Sequence, residues 1–235
     1  MQSVFEQIDE GQFLHKKTGL PFTLMQGGEF EFGMSSEMEH RLLNRPEDFE
    51  TEFVSYFVEE YQKWARPTCT ITPEPFLIAN FPLTASFLET NLGIPDQFSD
   101  NGAGYVPDSE SIARFLADLG LRLPSETEWE FCHRKTISFE QFPGDYLLQM
   151  EPTDYLSGFG SYADICADVW QPTLEGIPSN GSPRLGDGPR TVRGGAANTF
   201  PWQGCGEWLG LLPFCRYPEN SDLLMSVRPA APIKA

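Results

Sequence analysis

The side chains best able to do chemistry gather between residues 199 and 216. This stretch holds Cys205 and Cys215, the rings Phe200, Trp202, Trp208 and Phe214, and Arg216, with Gly204, Gly206 and Gly210 between them. Soft thiolates select copper(I), so Cys205 and Cys215 are candidate metal ligands should the Gly-rich segment bring them together; packed as small hydrophobes they are inert. Trp and Arg are the residue types that anchor interfaces, which makes Trp202, Trp208 and Arg216 candidate contacts to a partner. The competing reading is that the rings simply fill core. Other templates are missing: there is no G-x-S-x-G elbow, no phosphate-binding G-x-x-x-x-G-K-[ST] and no H-E-x-x-H. The three histidines, His15, His40 and His133, are widely separated, and His133 reads as a surface or partly packed residue.

Positioning such a segment requires a scaffold, and the helix signals are clear in two places. Ser125 can cap a helix starting near Glu126, Glu128 sits three residues later to complete a capping box, and Pro124 blocks helix upstream. Upstream of it, Asp108 or Ser109 can cap a segment with Ile112, Phe115, Leu116 and Leu119 on one face and Gly120 at its end. A third amphipathic stretch, residues 48–64, carries Phe49, Phe53, Val54, Phe57, Tyr61 and Trp64 at near-helical spacing. A short helix over residues 86–92 before Gly93 and extended segments over residues 68–83 complete the N-terminal half. Beyond Lys135, glycines, prolines and short apolar runs predict strands and long loops.

The wording of these motifs, and their order, resembles the formylglycine-generating-enzyme, or sulfatase-modifying-factor, family. Leu121-Arg122-Leu123-Pro124-Ser125-Glu126-Thr127-Glu128-Trp129-Glu130-Phe131 is similar to its R-L-P-T-E-A-E-W-E-Y motif. Gly27-Gly28-Glu29-Phe30-Glu31-Phe32-Gly33 resembles the opening G-G-x-F-x-M-G, and Pro75-Phe76-Leu77-Ile78 resembles the P-F-x-I strand. Downstream, Asp164, Ala167-Asp168-Val169-Trp170, Arg193-Gly194-Gly195 and Val227-Arg228-Pro229-Ala230 are similar to the family's G-N-V-W-E-W, R-G-G-S-W and G-F-R-P-A regions. The resemblance covers residues 27–230 and implies a C-type-lectin-like fold. Residues 48–64 then look like a helical insertion that covers the domain or offers an acidic face to a partner.

Residue by residue, the chemistry implied by the resemblance is incomplete. Aerobic members hold copper through a cysteine pair just after the R-G-G-S motif, and Thr199 and Gly204 stand in those places. Related iron enzymes use a histidine triad that this chain does not supply. A family calcium region maps onto Asp164 and Asp168, but Gln171 and Pro172 replace its Glu and second Trp, which weakens an oxygen-ligand site.

Composition bounds the remaining readings. The chain has 235 residues, 40% hydrophobic and 13% aromatic content, 21 Gly and 20 Pro, which suits one irregular domain spanning residues 1–235. With 34 acidic against 16 basic residues the formal net charge is -18, so nucleic acid and anionic membranes are not expected partners, whereas a basic protein or peptide is compatible. No secretory signal or membrane span is legible, and five cysteines without paired spacing suit a reducing, cytoplasmic setting. The expectation is therefore a single-domain α+β protein with a formylglycine-generating-enzyme-like, C-type-lectin-like fold, a mixed sheet, few helices and long loops. Its expected function is a cytoplasmic binding module, lacking standard catalysis, that recognises a protein partner as inhibitor or accessory subunit. The rival expectation is an atypical metal-dependent oxidase in which Cys205 and Cys215 hold copper.

Overall fold

The chain starts with an antiparallel meander, β1 (Phe5–Asp9), β2 (Gln12–His15) and β3 (Pro21–Met25). In the computed structural model, the residues described are 4–43, 59, 63–94, 106, 108–136, 163–194, 216–219 and 225–233. A ribbon of β4 (Phe30–Phe32) and β5 (Cys69–Ile71) follows, and β6 (Phe76–Ala79) then pairs with β3. The other edge of β6 takes β11 (Ala230–Pro232), so the first and last strands of the chain share one five-stranded sheet of order β1-β2-β3-β6-β11. The second sheet has four strands: β7 (Ala163–Val169), β8 (Arg190–Arg193), β9 (Arg216–Pro218) and β10 (Met225–Ser226), in the order β10-β7-β8-β9. Only its β10–β7 pair is parallel, which makes this sheet mixed.

Strand β6 is central because both of its faces are apolar. Alternate side chains of a strand point to opposite faces. Leu77 and Ala79 join a core with Phe22, Leu88, Leu116 and Val192, while Phe76 and Ile78 join a second core with Trp129, Phe131, Cys132 and Cys166. All four side chains of β6 are buried. The resemblance of residues 75–78 to a family strand is thus matched by the strand around which the two cores form.

Four helices stand among the described residues: α1 (Ser36–Leu43), α2 (Ala85–Leu92), α3 (Ser109–Asp118) and α4 (Glu126–Thr136). Asp108 caps α3 by accepting the N–H groups of Glu110 and Ser111, and Ile112 and Leu116 bury the stripe read from the sequence. Thr84 caps α2, whose end is made by Gly93 at φ +65°, a left-handed conformation that glycine adopts without a Cβ clash. The sequence reading has no counterpart for α1. Its start is set by Ser35, whose hydroxyl accepts Met38 N–H, with Glu37 and Glu39 in the first turn at the positive end of the helix. Of the amphipathic stretch 48–64, only residues 59, 63 and 64 are described, so Phe53 and Phe57 lie outside the described residues. None of the described helices is long and apolar enough to cross a membrane.

Candidate functional site

The capping box forms as the spacing demands: Ser125 Oγ accepts Glu128 N–H at 3.1 Å, and Glu128 Oε2 accepts Ser125 N–H at 2.8 Å. Arg122 then closes a fork on Glu128 at 2.7 and 2.6 Å. Ser125 and Thr127 both donate at 2.8 Å to Gly181 O in the long β7–β8 connection. Helix α4 is thereby fixed against the second sheet, and Glu126 and Glu130, one turn apart, project inward rather than to solvent.

Glu126 and Glu130 organise a buried ionic junction. Arg216 of β9 grips Glu126 with two nitrogens, at 2.7 Å to Oε2 and 3.0 Å to Oε1. Arg184 adds a contact at 2.5 Å, and Arg193 of β8 lies 3.3 Å from Oε2. Arg193 also spans to Glu130 at 2.7 Å, and Glu130 accepts Gly33 N–H at 2.9 Å and Arg134 Nε at 2.8 Å. Glu126, Glu130, Arg193 and Arg216 are each at most 1% exposed. The Arg193 guanidinium sits 5.4 Å from the Phe32 ring centre and 5.2 Å from that of Trp129, so both π-systems supplement its carboxylates.

Asp164 and Asp168 extend the junction along β7. Asp168 accepts Glu126 N–H and Arg184 N–H, both at 2.8 Å, tying the start of α4 to the long connection. Asp164 accepts Trp129 Nε1–H at 3.0 Å and Ser226 Oγ–H at 2.7 Å, with Arg228 Nε at 3.3 Å. The carboxylates that the resemblance assigns to calcium are engaged inside the protein on these partners. Among the described residues, no group of three or more His, Cys, Asp or Glu side chains is arranged to hold a metal ion.

Burial sets the protonation of these groups. Desolvation alone would raise the Glu126 carboxyl, but Arg216, Arg193 and Arg184 outweigh it and hold the group at about 2. Asp168, desolvated and close to Glu126, is raised to about 7 despite its two N–H donors. His133 is buried, which corrects the surface reading; desolvation, with Arg134 and Arg193 nearby, lowers it to about 3 and leaves the imidazole neutral. Burial drives the Cys132 and Cys166 thiols well above their ordinary value, so both are protonated packing groups.

Arg216 also needs correction as a candidate surface contact. It is 1% exposed, and besides Glu126 it donates to Trp64 O at 2.5 Å and lies 4.9 Å above the Trp170 ring. Desolvating a guanidinium demands a carboxylate, and Glu126 supplies it. Half-buried Trp64 packs edge-on against Trp170 at 5.9 Å and against Tyr217 at 6.5 Å, forming an aromatic cluster over this arginine. Cys205, Cys215, Trp202 and Trp208, with Thr199 and Gly204, lie outside the described residues. What is described is the frame of their segment: Arg193 and Arg216 are register partners in the β8–β9 ladder, and both reach Glu126. The described residues on either side of that segment are therefore anchored at one clamped point.

No family model matches this chain, and no curated protein matches it. Solved structures do. It is similar to PvdO from Pseudomonas aeruginosa, with a TM-score of 0.63 at 14% identity, over 96% of this chain and 99% of that one. It is also similar to Treponema denticola variable protein 1, with a TM-score of 0.52 at 14% identity, over 90% and 95% of the two chains. The shared property is a fold, a mixed α+β domain, and it extends over nearly the whole chain.

Proposed function

We propose that this chain is a divergent protein of the formylglycine-generating-enzyme fold that works as a binding module, with residues 194–215 as its recognition segment. The observation that carries this reading is the clamp at the base of that segment, where Arg193 and Arg216 meet across β8–β9 and share Glu126. Loops on a rigid base are where proteins commonly place recognition residues. Trp202 and Trp208 supply the anchor side chains, and Arg216 acts as the post that holds the base. The replacement of the family's copper-binding cysteine positions by Thr199 and Gly204 supports a role other than standard formylglycine formation. The partner is a protein or peptide segment, which the chain serves as inhibitor or accessory subunit. The net charge of -18 favours a basic partner, and the unpaired spacing of the cysteines favours a cytoplasmic setting.

Affinity capture from source cells with the full chain and with the Trp202→Ala/Trp208→Ala double variant tests this. The expected result is a discrete partner that copurifies in fixed ratio with the wild type and is lost from the variant at unchanged thermal midpoint. Equal retention by both proteins overturns the assignment of these tryptophans. Should the double variant unfold, Trp202→Tyr and Trp208→Tyr singly provide the same comparison with smaller volume change.

A further inference from the structure

A cleft of about 460 Å³ opens between the β2–β3 turn and helix α2, sharing no residue with the β8–β9 junction. Its size lies within the roughly 300–1,000 Å³ range of small-molecule sites. Half-buried Phe87, with the edge of Leu20, gives it apolar surface, and Phe87 is held by packing on Phe115 at 6.0 Å. Around them stand Thr18, Thr84, Ser86, Thr90 and Asn91. Among the described residues, no ionisable side chain lines the cleft, although 21% of the chain is charged.

The polar groups retain hydrogen-bonding capacity. Thr84 Oγ1 accepts Phe87 N–H at 3.2 Å as the cap of α2 and lies 3.2 Å from Ser86 Oγ, so at most one of those two hydroxyl protons is used between them. Asn91 donates one N–H to Phe87 O at 2.8 Å, leaving its carbonyl oxygen and a second N–H. Thr18 Oγ1 lies 2.9 Å from His15 Nδ1 and accepts Leu20 N–H at 3.3 Å, which orients it beside the apolar floor. A charged ligand would lose hydration here without meeting a counter-charge. A purely apolar ligand would strand the hydroxyl and amide groups.

The complement of this lining is a neutral molecule with alternating donors and acceptors along one edge and C–H surface on its faces. We propose that the cleft binds an uncharged polyhydroxylated ligand of about one sugar ring. Phe87 and the edge of Leu20 meet the C–H face, while Thr84, Ser86, Thr90 and Asn91 bond the hydroxyl edge.

The test is an amide-shift titration of the full chain with the methyl glycosides of glucose, galactose, mannose and N-acetylglucosamine. Glycerol and glucose 6-phosphate serve as controls. The expected result is saturable shifts confined to residues 18–20 and 83–91 for at least one glycoside, with no saturable response there to either control. Thr90→Val and Asn91→Ala, both at exposed helix positions, are each expected to weaken binding about fivefold, the effect of one neutral hydrogen bond. Absence of saturable shifts with all four glycosides overturns the proposal. So does an equal response to glycerol or the phosphate, or undiminished affinity in both variants.

Discussion

Glu126 is the residue on which the largest share of buried charge converges, and its removal should be disproportionate. Glu126→Gln leaves Arg216 and Arg193 desolvated with one carboxylate fewer, and breaking a buried pair in this way costs about 3–5 kcal/mol. Urea unfolding should show that loss, whereas Arg114→Ala, which removes the exposed Arg114–Glu110 pair and a long exposed bond to Glu110 O, should leave the midpoint nearly unchanged. Two other buried groups give the junction opposing pH responses. His133, lowered to about 3, binds fewer protons folded than unfolded, so its contribution is complete above pH 6.5 and declines as pH falls towards 3. Asp168, raised to about 7, binds more protons folded, so its contribution is complete below pH 3.8 and declines as pH rises through 7. Unfolding measured at pH 7 and pH 4.5 should therefore lose up to about 2–3 kcal/mol of stability through His133, a loss absent from His133→Phe. An unchanged pH slope in that variant would contradict the buried, neutral imidazole. The sequence gives little warning of these roles. Glu126 and Glu130 stand on a helix whose charged and apolar residues interleave, and only their i,i+4 spacing, with Arg134 a further turn on, hinted at an inward ladder.

At the scale of elements, helix ends were the most legible feature because their signals are local. Ser125, Glu128, Asp108, Gly93 and Gly120 each act within a few residues of themselves, and each sits where a cap or stop is observed. Ser125→Ala should cost about 1–2 kcal/mol, since it removes a cap and a donor to Gly181 O, while Thr127 keeps its own bond to that oxygen. Helix α1 and the β1–β2 hairpin were not legible. Their residues mix polar and apolar types, and their faces are decided by packing with distant partners such as Phe22, which meets Phe5 at 5.2 Å. Gly33 marks a close approach of the same kind. At φ +93° an added Cβ would stand 2.5 Å from Ala65 O and 2.6 Å from Leu174 Cδ1. Gly33→Ala is accordingly expected to destabilise by about 2 kcal/mol or more, against about 1 kcal/mol for Gly93→Ala, which meets open space. Thermal unfolding of the two variants side by side reads the difference.

For the whole molecule, the ordered series of short motifs was enough to anticipate an α+β domain of this architecture, because each motif corresponds to a structural joint. The Trp129 and Glu130 turn, Asp168, Arg193 and Arg228 meet in and around one buried network, so their sequence order encodes a three-dimensional junction. The site was less legible. Arg216 drew attention as an interface type, yet its partner Glu126 lies ninety residues away in the chain, a distance across which sequence spacing carries no geometry. The clamp separates a frame built from ion pairs from the segment it holds, and the proposed activity of that segment is recognition rather than oxidation. Copper(I) titration of the full chain, combined with aldehyde detection on a sulfatase-motif peptide, tests this most directly. The expected result is no tight stoichiometric copper binding and no aldehyde. Tight binding with turnover, both abolished by Cys205→Ser or Cys215→Ser, would contradict the binding-module assignment and establish an oxidase.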